Sequence, residues 1–131
     1  METNKDLILR SIKYLSEFLM ALTKQKPLEI EEIDFCINEF TLKHFGLTLK
    51  SILENEQNDI LKIIEADNNN NIENIKDFAD VLFIRYSYEK DSLEKKELSE
   101  KIIKLYQIYQ SRSSLYNFET QSRINGLKAL S

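Results

Sequence analysis

Two glycines, Gly46 and Gly126, and one proline, Pro27, are all that this chain of 131 residues holds of the two strongest turn formers. A β-rich fold of that length needs many tight turns, and the favoured hairpin turns require positive φ angles that glycine adopts most readily. Helices need few such residues, so the scarcity points to an all-α chain. Hydrophobic residues at 42% and charged residues at 31% supply apolar matter for a packed core and lie well away from compositions that stay unfolded. A chain of this size fits a single domain, residues 1–131, that needs no disulfide or metal staple.

Apolar residues recur every three or four positions, the spacing of amphipathic helices. The first helix is expected to begin near Thr3 or Asn4. It carries one stripe of Ile8, Ile12, Leu15, Leu19 and Leu22 and a second of Leu7, Tyr14, Phe18 and Ala21, so wide a face that it implies contact with at least two helices. Pro27 ends it, because the residue before a proline avoids helical angles. The second opens with Glu29, Glu31, Glu32 and Asp34, which complement the positive end of a helix dipole. It runs along Ile30, Ile33, Ile37 and Phe40 to a glycine ending at Gly46.

Thr48 is placed to cap a short helix with Leu49, Ile52 and Leu53, and the pattern resumes through Ile60, Leu61 and Ile64. Asp67 to Asn71 reads as a loop. A longer helix from about Ile72 to Glu89 follows Ile75, Phe78, Leu82 and Tyr86. Asp91-x-x-Glu94 then forms a capping box for the next, which carries Leu98, Ile102, Leu105 and Tyr109. A last segment starts near Asn117 with Phe118, Ile124, Leu127 and Leu130. The expected fold is a bundle of about five to seven antiparallel helices built from helical hairpins. Its parts are an N-terminal hairpin over 4–45, short helices over 48–66, and a C-terminal hairpin with a last helix over 72–130.

Few residues carry catalytic or metal chemistry. Cys36 is the single cysteine and His44 the single histidine, so no intramolecular disulfide, multi-cysteine zinc site or two-histidine metal site can form within one chain. Asp67, Asn69 and Asn71 match positions one, three and five of a calcium loop. Ile72 replaces the glycine at six, however, and Phe78 replaces the bidentate glutamate at twelve, so the stretch reads as a solvated linker. His44 and Cys36 read as structural residues on a helix stripe. No catalytic residue, cofactor or metal ligand is assigned, and the chain is expected not to be an enzyme.

Charge and aromatics bear on partners. The net charge is −4, acidic up to residue 90 and basic beyond, so nucleic acid is a poor default partner because phosphate binding needs a concentrated basic surface. The alternative, a small regulator contacting nucleic acid, would use Lys95, Lys96, Lys101, Lys104, Arg112, Arg123 and Lys128; another, a helical ligand-binding bundle, would use His44. Five of the six tyrosines lie after residue 85. Tyr86 and Tyr109 fall on core stripes, leaving Tyr88, Tyr106 and Tyr116, with Arg112, as the partner-binding candidates, since a tyrosine offers a rigid apolar body with a polar tip. The Lys-, Ile- and Asn-rich usage reads as the product of an AT-rich, bacterial genome. With no membrane span or signal segment in view, the expected compartment is the cytoplasm.

Residues 75–110 resemble a degenerate tetratricopeptide hairpin, with Leu82-Phe83-x-x-Tyr86 in its first helix and Leu98-x-x-x-Ile102-x-x-Leu105-Tyr106 in its second. Phe83 and Leu98 stand where that repeat has smaller residues, and the turn is longer. The overall plan, including Leu7 to Ile12 and Phe45-Gly46-Leu47, is similar to small bacterial helical proteins of unknown function. The resemblance implies scaffolding, either with a protein partner or as a homodimer, and no catalysis.

Overall fold

The computed structural model describes residues 4–26, 28–54, 73–113 and 117–130, with side chains from Ile12 onward except those of His44 and Phe45. These residues form an all-α bundle of six helices: α1 (Asn4–Gln25), α2 (Ile30–Phe45), α3 (Leu49–Glu54), α4 (Glu73–Tyr88), α5 (Ser92–Arg112) and α6 (Phe118–Leu130). Of the short helices expected over 48–66, the part beyond Glu54 with Ile60, Leu61 and Ile64 lies outside the described residues, as do the Asp67–Asn71 loop and the Thr3 cap.

Helix ends follow the side chains that precede them. The Glu29 N–H donates to Glu32 Oε1 at 3.3 Å, occupying one of the donors that a helix start leaves unpaired. Gly46 closes α2 at φ 71° with its N–H on the Leu42 carbonyl at 3.1 Å, a left-handed glycine ending. Thr48 Oγ1 accepts from the Ser51 N–H at 3.2 Å and so caps α3. Asp91 Oδ1 accepts from the N–H groups of Leu93 and Glu94, each at 3.0 Å. The return arm of that box comes from another residue than the sequence implied: Glu89 Oε1, not Glu94, accepts from the Asp91 N–H at 3.0 Å.

The centre of the bundle is α4. Nine of its sixteen residues are buried, among them Ile75, Phe78, Ala79, Val81, Leu82 and Ile84, because it packs against α1, α2 and α5 together. A helix enclosed on three sides needs more than one apolar stripe, and Val81 and Ile84 supply what the Ile75–Tyr86 stripe lacks. Full burial of an Ile, Leu or Phe side chain contributes about 1.5–3 kcal/mol, so α4 anchors the molecule. Leu28 and Ile33, Ile37 and Thr41 of α2, with Leu49 and Ile52 of α3, complete the N-terminal side of the core.

Helix α1 buries Ile12, Ser16 and Leu19 and lies chiefly along α4, with a lesser contact to α2. Its second stripe behaves otherwise than expected. Tyr14, Phe18 and Ala21 all face solvent, while Ile12 and Leu19, flanked by Leu15, Met20 and Leu22, pack into the core.

Candidate functional site

The structure redistributes the four residues expected to bind a partner. Tyr106 is 0% exposed, and its placement on a surface is thereby corrected: it belongs to the core. Leu105 and Tyr106 are neighbours in sequence on one broad buried face of α5, which receives α4 on one side and α6 on the other. Tyr88 is half-buried against the core, Arg112 is exposed near the end of α5, and Tyr116 lies outside the described residues. Of the three described, Tyr88 and Arg112 stand at opposite ends of the α4–α5 hairpin and form no site with the buried Tyr106.

What Tyr106 reaches instead is a buried polar cluster absent from the sequence reading. Its hydroxyl donates to Asp80 Oδ1 at 2.5 Å, Arg123 Nη1 reaches the same carboxylate oxygen at 2.6 Å, and Lys76 Nζ pairs with Asp80 Oδ2 at 3.0 Å. Burial, then the Asp80 charge, pushes the Tyr106 phenol far above its ordinary range, so it stays a donor. Burial alone would lower the Lys76 ammonium, but Asp80, together with Asp77 and Glu73, holds that pKa above normal. Next to this cluster, half-buried Asp77 is pushed up to about 6 by desolvation and by the carboxylates of Asp80 and Glu73, against the pull of Lys76 and Lys13. Tyr109, buried as its stripe implied, donates to Glu73 Oε1 at 3.1 Å. A carboxylate inside a core requires such partners, and sequence showed only that Asp80 sits within a helical pattern.

On the other side of α4 lies an open groove of about 950 Å³ between α2, α3 and α5, with Leu49, Leu53 and Leu98 among its lining. Its charged centre is Arg85, whose Nε donates to Asp34 Oδ1 at 2.5 Å. Arg85 Nη1 is buried and stands 3.0 Å from Glu89 Oε2, an ion pair that lacks hydrogen-bond alignment. Glu89 resists the upward push of its burial because the N–H of Asp91 and the Arg85 guanidinium hold its carboxyl below the usual range. Asn38, also at this wall, uses Oδ1 to accept from the Leu49 N–H at 2.8 Å. The groove therefore contains polar groups already engaged with one another, which stiffens the α2–α4 contact.

The basic residues considered for nucleic acid are likewise dispersed. Arg123 is bound into the Asp80 cluster, Lys95 lies 4.8 Å over the Tyr86 ring, and Lys101 and Lys104 line the groove beside Glu97 and Glu100. Phe78, which would hold position twelve of a calcium loop, is a core residue. The His44 side chain is not among those described, and Cys36 is half-buried with its thiol pKa pushed up by burial and by Glu39 and Glu32. Among the described residues no three of His, Cys, Asp and Glu converge to hold a metal ion, and no helix is long and apolar enough to cross a membrane.

Phe35 of α2 and Phe118 of α6 are exposed singly, whereas the first helix carries two exposed aromatics side by side. Tyr14 is 62% exposed and Phe18 54%, one turn apart and followed by Ala21 on the same side, so the three form a continuous apolar strip on the solvent side of α1. Comparison with protein-family models, with curated proteins and with solved structures finds no match to this chain.

Proposed function

We propose that the protein is a non-catalytic helical association module that pairs with a second copy of itself through the Tyr14–Phe18–Ala21 strip of α1. The observation that carries this reading is the exposure of two adjacent aromatic rings on a helix whose opposite face is already anchored in the core. Large apolar side chains grouped on a surface favour association, and a two-fold interface brings one patch against itself. In an antiparallel pairing centred between Glu17 and Phe18, each Tyr14 meets the small Ala21 of the other copy, a large-against-small fit. Lys13 and Glu17, 4.0 Å apart within α1, border the strip with both signs of charge and add no net repulsion.

Scaffolding is also what the tetratricopeptide-like resemblance of residues 75–110 implies, and the surface proposed for it is α1 rather than Tyr88, Tyr106 and Tyr116. The nucleic-acid alternative loses support because Arg123 and Lys95 are engaged internally. Sedimentation equilibrium of the purified chain tests the proposal. The expected result is a concentration-dependent dimer that a Tyr14→Ser/Phe18→Ser double variant abolishes while its helical circular dichroism stays unchanged. A chain that remains monomeric up to millimolar concentration overturns it.

A further inference from the structure

The Asp80 cluster is divided unequally between the body of the molecule and its last helix. Lys76 and Tyr106, two of the three donors to the carboxylate, come from α4 and α5. The third, Arg123, comes from α6; its Nη1 also lies 3.0 Å from the Tyr106 oxygen, and its guanidinium carbon sits 4.8 Å from the centre of the Phe83 ring. Removing the sole partner of a buried carboxylate strands a charge, which normally keeps such pairs closed. Asp80 is not so placed, because Lys76 and Tyr106 stay with it when Arg123 withdraws.

The α6 half is assembled in advance too. Arg123 Nη2 pairs with Glu119 one turn earlier at 2.8 Å, and Asn117 Oδ1 caps the helix by accepting from the Thr120 N–H at 2.8 Å. Beyond the arginine, three buried side chains seat this helix. Its buried residues are Thr120, Ile124 and Leu127, it packs along α5, and Phe118 and Leu130 at its two ends are exposed. An element seated by a narrow buried face can open locally without unfolding the rest of a fold.

We propose that α6 is an exchangeable occupant of a preformed helix-receiving groove, and that this groove binds in trans the α6 helix of a second copy. The groove reads a guanidinium with Asp80, Tyr106 and the Phe83 face, and apolar side chains one and four positions beyond it, the places of Ile124 and Leu127. The helix seated there already has that chemistry, so another copy's fits without adjustment. This surface shares no residue with the α1 strip, and each proposal fails or survives by itself.

A fluorescent peptide of residues 117–131 is titrated, by anisotropy, onto the full-length chain and onto full-length Arg123→Ala, both in the Tyr14→Ser/Phe18→Ser background. Arg123→Ala is expected to bind the peptide at least tenfold more tightly than the parent, because its own helix is loosened while the receiving residues are intact. A peptide carrying Arg123→Lys is expected to lose at least tenfold, since an ammonium cannot span the carboxylate, the phenol and the ring as a planar guanidinium does. No binding to a folded Arg123→Ala chain, or equal binding of the two peptides, overturns the proposal. Should Arg123→Ala not fold, hydrogen exchange on the unmodified chain decides. Amides over 118–130 exchanging together at least tenfold faster than those of α5 uphold it, and equal protection of the two helices overturns it.

Discussion

At the scale of single residues, the two glycines carry opposite roles. Gly46 sits at φ 71°, where a Cβ meets its own backbone and costs roughly 1–2 kcal/mol in an L-residue. Gly126 lies inside α6, and outside its own stretch of helix no atom comes within 4 Å of an added Cβ, so there glycine wastes helix-forming capacity, worth about 0.5–1 kcal/mol relative to alanine. Gly46→Ala is therefore expected to lower the stability measured by urea unfolding by about 1–2 kcal/mol, and Gly126→Ala to raise it by up to about 1 kcal/mol. Gly46 was legible in sequence as a helix ending, while Gly126 falls inside the apolar pattern of the last segment. That α6 nevertheless continues through Gly126 to Leu130 reflects Ile124 and Leu127, which are buried on either side of it.

At the scale of elements, the α4–α5 connection shows how a local motif is completed by a residue outside it. Sequence placed both arms of the cap within Asp91-x-x-Glu94, and the structure keeps Asp91 while giving the second arm to Glu89. Glu94 is instead repelled, by Glu89 first, and its carboxyl is pushed up accordingly. Asp91→Ala should cost about 1 kcal/mol, the usual worth of an N-cap, whereas Glu94→Gln should leave the denaturation midpoint in place. Thermal and urea unfolding of the two variants separate these outcomes. Helix positions and most caps were readable because they depend on residues within a few positions of each other. The direction in which α1 turns its two apolar stripes was not, since both have helical spacing and only the neighbours that α1 meets decide which is buried.

At the scale of the whole molecule, stability depends on carboxylates enclosed between helices. Asp77 titrates at about 6 in the folded chain against an ordinary 3.8, so between about pH 4 and pH 6 the folded state binds more protons than the unfolded one. Stability then falls as pH rises through that window, and above it the cost of an ionised, half-buried Asp77 is fully present. Asp77→Asn should raise the melting temperature at pH 7 and flatten its dependence between pH 4 and 6, measured by circular dichroism melts across that range. Such groups mark the boundary of what can be read from the chain. The scarcity of glycine and proline, together with apolar residues at helical spacing, determined an all-α bundle and most of its helix limits, because backbone hydrogen bonding and amphipathicity are local. Only the tertiary structure decided that α4 is central, that Tyr106 points inward to Asp80 and Arg123, and that Tyr14 and Phe18 are left outside. Those outcomes depend on which faces meet across 17 to 43 positions of sequence, as in the Tyr106–Arg123 and Asp80–Arg123 contacts, and no residue's own side chain specifies its distant neighbour.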